Sequence, residues 1–359
     1  MTPATRRGLF VCTIVVLVFA AGTLFRASPG DTERQVRANI AVAATPYSSE
    51  PVATFSIIGF DPDTGDLGIA VQSRFFAVGA VVPWARAGVG AIATQSVANT
   101  AFGPDGLEKL SSGASAESTL AQLLDGDPSS ELRQLGIVDA QGHAVTFTGE
   151  SCLPWAGGRT GENYAVQGNI LAGPGVIDTM ADTFETATGD LGARLVAALA
   201  AGQSAGGDAR GRQSAALVIV REDGGYGGYN DRYVDLRVDD NAAPIRELRR
   251  LFHMRLAQIE TDIAARALRD GDHDLALSSS RKAIEYNAEG GATWLMLARV
   301  LVARGELTDA GEAGRQSLLR DPWLKSAALR GLVDKGLIER LLQVDVFARL
   351  WESIEAESY

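Results

Sequence analysis

The central part of the chain alternates short apolar runs with Gly- and Asp-rich breaks, a pattern typical of β-hairpins. Strands are predicted at Thr54–Asp61 and Asp66–Ser73, joined by a turn in which Gly65 supplies a positive φ. The same pattern predicts further strands at Ala80–Trp84, Gly88–Ala93, Gln134–Val138, Ala144–Thr148, Tyr164–Leu171, Ser214–Arg221 and Tyr233–Val238.

Helical patterns interrupt these strands in two places, each time as a pair. The four predicted helices are Pro104–Leu110, Ser115–Leu124, Gly175–Ala187 and Leu191–Ala200. Runs of strands broken by helix pairs favour an α+β fold over alternating βαβ units. Two sheets packed face to face with helices outside satisfy this order.

One motif in this region imitates a cofactor site. The segment Gly88–Ala93 matches the dinucleotide pattern G-x-G-x-x-A, which must close a strand and open a helix. The segment is itself β-like, and Pro104 falls where the helix should still run. We therefore expect no cofactor.

The carboxy-terminal part repeats with a period of 34 residues. Gly271, Ala276, Ala283 and Asn287 are matched by Gly305, Ala310, Ser317 and Asp321. This period and its small residues resemble the tetratricopeptide repeat. We expect an all-helical region over residues 244–359, with a joining helix at Pro244–Arg255 and further packing from Ala327–Leu342. It is either a surface that binds a protein partner or a helical hairpin that only packs on the main domain.

The amino-terminal part contains one long apolar segment. Gly8–Phe25 has no charged residue and follows Arg6 and Arg7. At about 1.5 Å per residue, its 18 residues span about 27 Å, slightly less than the hydrocarbon layer of a membrane. Residues 1–26 are interpreted as an uncleaved transmembrane anchor, a cleaved signal or a buried helix, and residues 27–53 as a linker. An anchor would hold the chain in the inner membrane of a bacterium with its body in the periplasm, and a cleaved signal would leave the body periplasmic or secreted.

Charge and composition exclude several classes of function. Lys and Arg total 33 against 44 Asp and Glu, a net charge of −11, which disfavours nucleic-acid binding. Two cysteines cannot form a disulfide framework. The three histidines lie far apart and in no zinc motif, so no metal site is expected.

Several separate blocks resemble one bacterial family, catalogued as domain of unknown function 1028. The blocks are Thr54–Ile57, Ser73–Gly79, Pro83–Ala85, Ala87–Ala91, Ala93–Gln95, Gly168–Leu171, Gly211–Ala216 and Asn230–Arg237. The resemblance covers about Thr54 to Leu251. That family is similar to the amino-terminal-nucleophile (Ntn) hydrolases, which implies a four-layer αββα sandwich over residues 54–243. Many proteins of that superfamily associate, so a homo-oligomer is an expectation.

The resemblance implies a mechanism in which a residue opening the first strand attacks an amide. Thr54 occupies that position, and its own α-amine would be the base after cleavage of the Ala53–Thr54 bond. Ser73 and Arg74 are candidates to orient that amine, or they only cap the strand and pair with an acid. The oxyanion would be held by backbone amides around Thr94 and Gln95, and by the Asn169 side chain.

Further residues are candidates for binding the substrate. Gln95 and Asn99 can donate to it or can satisfy the loop backbone. Trp84 is a candidate aromatic contact for the substrate. Asp231 is either a substrate clamp or one half of a structural ion pair with Arg232.

The chain departs from the proteasome-type pattern, which has an acid at the end of the second strand and a later lysine. Gln72 stands near the acid's place, and no lysine precedes Lys109. Two hypotheses remain: an Ntn-type amidohydrolase that uses only its terminal amine, or a non-enzymatic, membrane-anchored scaffold. Cleavage before Thr54 would create the nucleophile but would sever the anchor.

Overall fold

A computed structural model of the protein describes residues 54–354. The predicted anchor and linker lie outside the described residues. Over the described range, no helix is both long and apolar enough to cross a membrane.

Six antiparallel strands form the larger sheet, in the order β10-β9-β2-β1-β8-β7. These strands are β1 (Thr54–Asp61), β2 (Asp66–Ser73), β7 (Gly157–Gly161), β8 (Tyr164–Gly168), β9 (Ser214–Val220) and β10 (Arg232–Val238). The central strand β1 pairs with β2 on one side and β8 on the other.

Four antiparallel strands form the smaller sheet, in the order β3-β4-β5-β6. They are β3 (Pro83–Arg86), β4 (Gly90–Ser96), β5 (Arg133–Asp139) and β6 (Ala144–Thr148). Apolar side chains from alternate positions of both sheets share one core, which includes Ile58, Ile69 and Val218 of the larger sheet and Ala91 and Val138 of the smaller. The two sheets therefore pack face to face.

Helices cover the outer face of each sheet. Helices α1 (Phe102–Ser111) and α2 (Ala116–Asp125) pack on the smaller sheet, where Gly103 lies directly against the Trp84 ring. Helices α3 (Gly175–Thr186) and α4 (Leu191–Ser204) pack on the larger sheet. The order of layers is helix, sheet, sheet, helix, as the sequence pattern predicted.

The carboxy-terminal helices begin with α5 (Pro244–Asp270), which is shared by two cores. Its first half packs Leu248 and Phe252 on the larger sheet's helices, and its second half packs Ala264 and Ala267 on the helices that follow. The predicted joining helix therefore begins where expected but runs on past Arg255 to Asp270. The remaining helices are α6 (His273–Tyr286), α7 (Gly291–Arg304), α8 (Leu307–Arg320), α9 (Trp323–Leu329), α10 (Lys335–Leu341) and α11 (Asp345–Ser353).

The 34-residue period reappears in the helices. Helix α8 begins 307 − 273 = 34 residues after α6 and ends 320 − 286 = 34 residues after it. Gly271 and Gly305 end the preceding helices with left-handed φ values of 82° and 80°. The repeated small residues Ala276 and Ala310 are fully buried, so they allow close helix packing.

Candidate active site

Thr54 opens β1 at the end of the sandwich where β2 and β8 finish. It pairs with Ser73 across the β1–β2 ladder, and both residues are fully buried. Side chains alternate along a strand, so Thr54 lies on the same face as Ser56 and Ile58, toward the other sheet. The Thr54 carbonyl oxygen accepts hydrogen bonds from the Asn169 backbone N–H (3.0 Å) and from Gln95 Nε2 (3.3 Å).

A network of buried side-chain amides lies between the sheets at this end. We call it the amide network; it consists of Ser56, Gln95, Gln134, Gln167 and Asn169, all fully buried. The Ser56 hydroxyl donates to Gln95 Oε1 (2.7 Å) and accepts from Gln167 Nε2 (2.6 Å). Gln134 Oε1 accepts from both Gln95 Nε2 (2.8 Å) and Asn169 Nδ2 (2.9 Å). These bonds join the two sheets at the edge of the apolar core that the sheets share.

The network contains hydroxyl and amide groups only. A polar group removed from water costs free energy unless it is hydrogen-bonded, and nearly every atom here is. The exception is Asn169 Oδ1, a buried acceptor with no hydrogen-bond partner among the described residues. The backbone N–H of Asn169 also donates to the Thr54 carbonyl. The unpartnered oxygen therefore belongs to a residue that is hydrogen-bonded directly to Thr54.

Gln72 does not face Thr54. The β2 positions Leu67, Ile69 and Val71 face the other sheet, so Gln72 points toward the helices with Ala70. Its side chain is fully buried, and neither amide atom has a partner within residues 54–354. The residue at the proteasome-type acid position is thus on the opposite face of the sheet from the amide network.

A buried carboxylate holds the loop that follows Ser73. Asp208 has a fully buried side chain and accepts from the Arg74 backbone N–H (2.9 Å). It also accepts from Arg210 through the backbone N–H (2.9 Å) and the guanidinium (3.0 Å). The Arg74 side chain leaves this loop and donates to Gln213 Oε1 (2.8 Å).

A second ion pair holds the loops on the smaller sheet. Arg133 Nε lies 2.6 Å from Asp127 Oδ2, and both side chains are largely buried. The hydrogen bond from Arg133 holds the pKa of Asp127 below its ordinary value, and Asn99 adds a further hydrogen bond to that carboxylate. Arg133 also donates to the Val97 carbonyl, which fixes the loop after β4.

Strained backbone is found at the same end. Ser96 and Ile170 have φ values of 66° and 51°, in the left-handed region that residues other than glycine rarely adopt. Ile170 is β-branched, which makes its conformation costly. Such residues persist only where the surrounding structure holds them, and they cluster at functional sites.

The structure brings some of the predicted site residues together. Thr54, Ser73, Gln95 and Asn169 meet between the sheets, and the Arg74 backbone lies next to Ser73. Asn99 lies at the same end, where its backbone carbonyl accepts a hydrogen bond from the Thr94 hydroxyl (3.2 Å).

Three other predicted residues are placed elsewhere. The Thr94 side chain faces the helices, and its backbone N–H donates to Val82 O (3.2 Å), so it is not an open oxyanion donor. Trp84 packs under Gly103 on the outer face and donates to Val81 O. Asp231 lies at the opposite end of the strands, where it accepts from the Ala87 N–H (3.0 Å) rather than pairing with Arg232.

Four residues of this end were not predicted: Ser56, Gln134, Gln167 and Asp208. The signal for the first three is a polar residue at an inward position of a strand whose other inward positions are apolar. Asp208 carries no comparable signal, because it lies in a loop 208 − 74 = 134 residues after the backbone group it binds.

Comparison with known proteins gives one family. Residues 54–248 match the model of a family of unknown function (DUF1028). The crystal structure of protein SPO2555 from Silicibacter pomeroyi, which carries the same family description, is 31% identical and matches with a TM-score of 0.51. That match covers 56% of this chain and 84% of the other. No curated protein matches.

Proposed function

The chain belongs to the family of unknown function DUF1028, and on that premise we propose that it is an Ntn-type amidohydrolase with Thr54 as its nucleophile. One observation carries this proposal. Thr54 opens a central strand of the larger sheet and faces the smaller sheet, at the end of the sandwich where the amide network replaces the apolar core. A four-layer Ntn-like sandwich would place its nucleophile there.

The reaction requires a free α-amine on Thr54, and therefore cleavage of the Ala53–Thr54 bond. The neutral amine, with an ordinary pKa of about 7.7–8.0, takes the hydroxyl proton as Thr54 Oγ attacks the amide carbon. The C–N bond then breaks, and the leaving amine takes that proton. Water hydrolyses the resulting ester, which releases the carboxylic acid and restores the Thr54 hydroxyl.

Asn169 supports the proposal as a positioning residue. Its Oδ1 is buried with no hydrogen-bond partner in the part of the chain that the structure describes, and its backbone N–H donates to the Thr54 carbonyl. An acceptor in this place can hold an N–H of the liberated amine and orient its lone pair toward Oγ. No lysine is needed, and none belongs to the amide network.

The test uses the full chain with an enteropeptidase recognition sequence placed directly before Thr54. Cutting this chain leaves Thr54 with a free amine. A β-lactone probe is expected to acylate the cut chain once, at Thr54, which intact-mass analysis and peptide mapping detect. Thr54→Ser is expected to keep this labelling and Thr54→Ala to lose it. Labelling of Thr54→Ala equal to that of the parent would refute the assignment of the nucleophile.

A second candidate function is a scaffold anchored in the bacterial inner membrane with its body in the periplasm. It is favoured by the amide network, which has no ionisable side chain, and by the exposed apolar residues Leu319, Trp323, Leu329 and Leu332 of the helical region. In this proposal α5–α6 and α7–α8 act as tetratricopeptide-like units that bind a protein partner. A stable partner that co-purifies with the uncut, detergent-extracted chain would support it. Recovery of the chain alone would count against it.

A further inference from the structure

A concave surface lies beside the candidate active site, around the loop at residues 205–213. We call it the arginine cavity. Its volume is about 680 Å³, and it is lined by Gln203, Asp208, Arg210 and Arg212, among others. The Arg74 side chain lies along the same loop, with Cδ 3.6 Å from where a Cβ on Gly211 would be. Gly211 has a φ of +119°, so a glycine is required for this close turn.

Of the guanidinium groups of Arg74, Arg210 and Arg212, only that of Arg210 is paired with an acid of residues 54–354. Arg210 is paired with the buried Asp208. Arg74 donates to the neutral Gln213 side chain, and neither Arg74 nor Arg212 forms an ion pair with any described residue. Arg212 lines the cavity, and Arg74 packs against Gly211 of its wall. In a chain with a net charge of −11, two such cations on one loop favour an anionic ligand. A guanidinium matches a carboxylate through two parallel hydrogen bonds.

The cavity also offers an acceptor. Gln203 Oε1 is a buried atom with no hydrogen-bond partner in the described part of the chain. An N–H donor on the ligand would satisfy it. An amide that also carries a carboxylate supplies both groups at once.

The loop is hydrogen-bonded at the ends of both strands that flank β1. Gln213 N–H donates to the carbonyl of Ser73 (3.0 Å), which pairs with Thr54. Ala209 N–H donates to the carbonyl of Ile170 (2.9 Å), which follows Asn169 just after β8. The arginine cavity and Thr54 therefore lie at the same end of the larger sheet.

We propose that the arginine cavity binds the carboxylate of the substrate, so that the substrates are carboxylate-bearing amides, with Arg74 and Arg212 as the anion-binding residues. This inference rests on the proposed function for the identity of the substrate, whereas the anion site itself can be tested by binding alone.

The test compares two probes that differ in one group, N-benzoylglycine with its carboxylate and N-benzoylglycinamide without it. Binding is measured by calorimetry on the cut full chain carrying Thr54→Ala, so that no turnover interferes. The carboxylate is expected to bind at least about tenfold more tightly than the carboxamide, and less tightly as salt is raised.

Variants of Arg74 and Arg212 test whether the difference between the two probes arises at the arginine cavity. Arg74→Gln and Arg212→Gln are each expected to weaken N-benzoylglycine binding about tenfold or more and to leave the carboxamide unchanged. Arg212→Lys should recover part of the loss, which separates charge from folding. Arg299→Gln is the control, because Arg299 is an exposed residue of α7 that forms no ion pair with a described residue, and it should bind like the parent.

The outcomes separate the two proposals. If the preference for N-benzoylglycine depends on Arg74 or Arg212 but no β-lactone labels the cut chain, the anion site is supported. The same result would refute Thr54 as the nucleophile. Equal binding of the two probes, or no effect of the arginine variants, would overturn the present inference even if Thr54 is labelled.

Discussion

The backbone N–H of Asn169 donates to the carbonyl oxygen of Thr54 over 3.0 Å, while Oδ1 of the same Asn169 is buried and has no hydrogen-bond partner in residues 54–354. The residue that fixes the start of β1 thus keeps one hydrogen-bond acceptor unused. Such an atom costs free energy in a folded protein, and we propose that it accepts a hydrogen bond from the Thr54 amine in the processed chain.

We expect Asn169→Ala in the cut chain to slow acylation by the β-lactone about 100-fold, because the Thr54 amine loses the acceptor that orients it. The pH at half-maximal rate should move down, since an acceptor favours the protonated amine. Acylation rates measured between pH 6 and pH 9 test both effects. A purely structural role for Asn169 would leave that midpoint pH unchanged.

Gln134 is expected to be the most important member of the amide network for stability. Its Nε2 donates to Gly168 O (2.7 Å), Thr148 Oγ1 (2.8 Å) and Gly157 O (3.3 Å). Gln134→Ala leaves several buried polar atoms unpaired and should lower the free energy of unfolding by about 3 kcal/mol. Denaturant unfolding of Gln141→Ala, at an exposed glutamine, gives the matched control, which should change by less than about 0.5 kcal/mol.

The Asp127–Arg133 pair predicts a pH dependence of stability. The pKa of Asp127 is below its ordinary value of 3.8, so its stabilising contribution is present above about pH 4 and is lost as the pH falls through the folded-state pKa. Asp127→Asn should cost about 2 kcal/mol at pH 7, with the difference shrinking below pH 4. Thermal unfolding from pH 7 to pH 3 measures it. The exposed Asp125→Asn should follow the parent at every pH, and a pH-independent difference for Asp127→Asn would contradict the assignment.

Gly305 ends α7 with a φ of 80°, a conformation that costs an L-residue free energy. Gly305→Ala should destabilise the chain by about 1 kcal/mol in chemical denaturation. Gly126 ends α2 with a φ of −87° and has open space around it, so Gly126→Ala should be neutral or slightly stabilising. Equal effects of the two substitutions would argue against the helix cap.

Most strands and helices could be predicted because their apolar periodicity is strong. Strand β7 (Gly157–Gly161) was missed, since its sequence Gly-Gly-Arg-Thr-Gly has no apolar residue, and pairing with β8 alone makes it a strand. Helix α5 runs past Arg255 because neither Gly nor Pro occurs between Arg255 and Gly271.

Some residues of the candidate site could also be predicted from the sequence, and others could not. Thr54, Ser73 and Asn169 could be placed together, because the resemblance and the hairpin register bring these strand ends to one edge. Trp84 could not, since which face of β3 packs on the helices depends on the partner sheet. The link from Asp208 to Arg74 is also beyond sequence reasoning, because loop-to-loop contacts have no periodicity.

The central claim is that Thr54 becomes an amino-terminal nucleophile. Its most direct test is the intact mass and amino-terminal sequence of the protein isolated from the cells that make it. We expect a mature chain that begins at Thr54. A chain that begins at any residue before Thr54 would contradict it, because the threonine nitrogen would then still be part of a peptide bond.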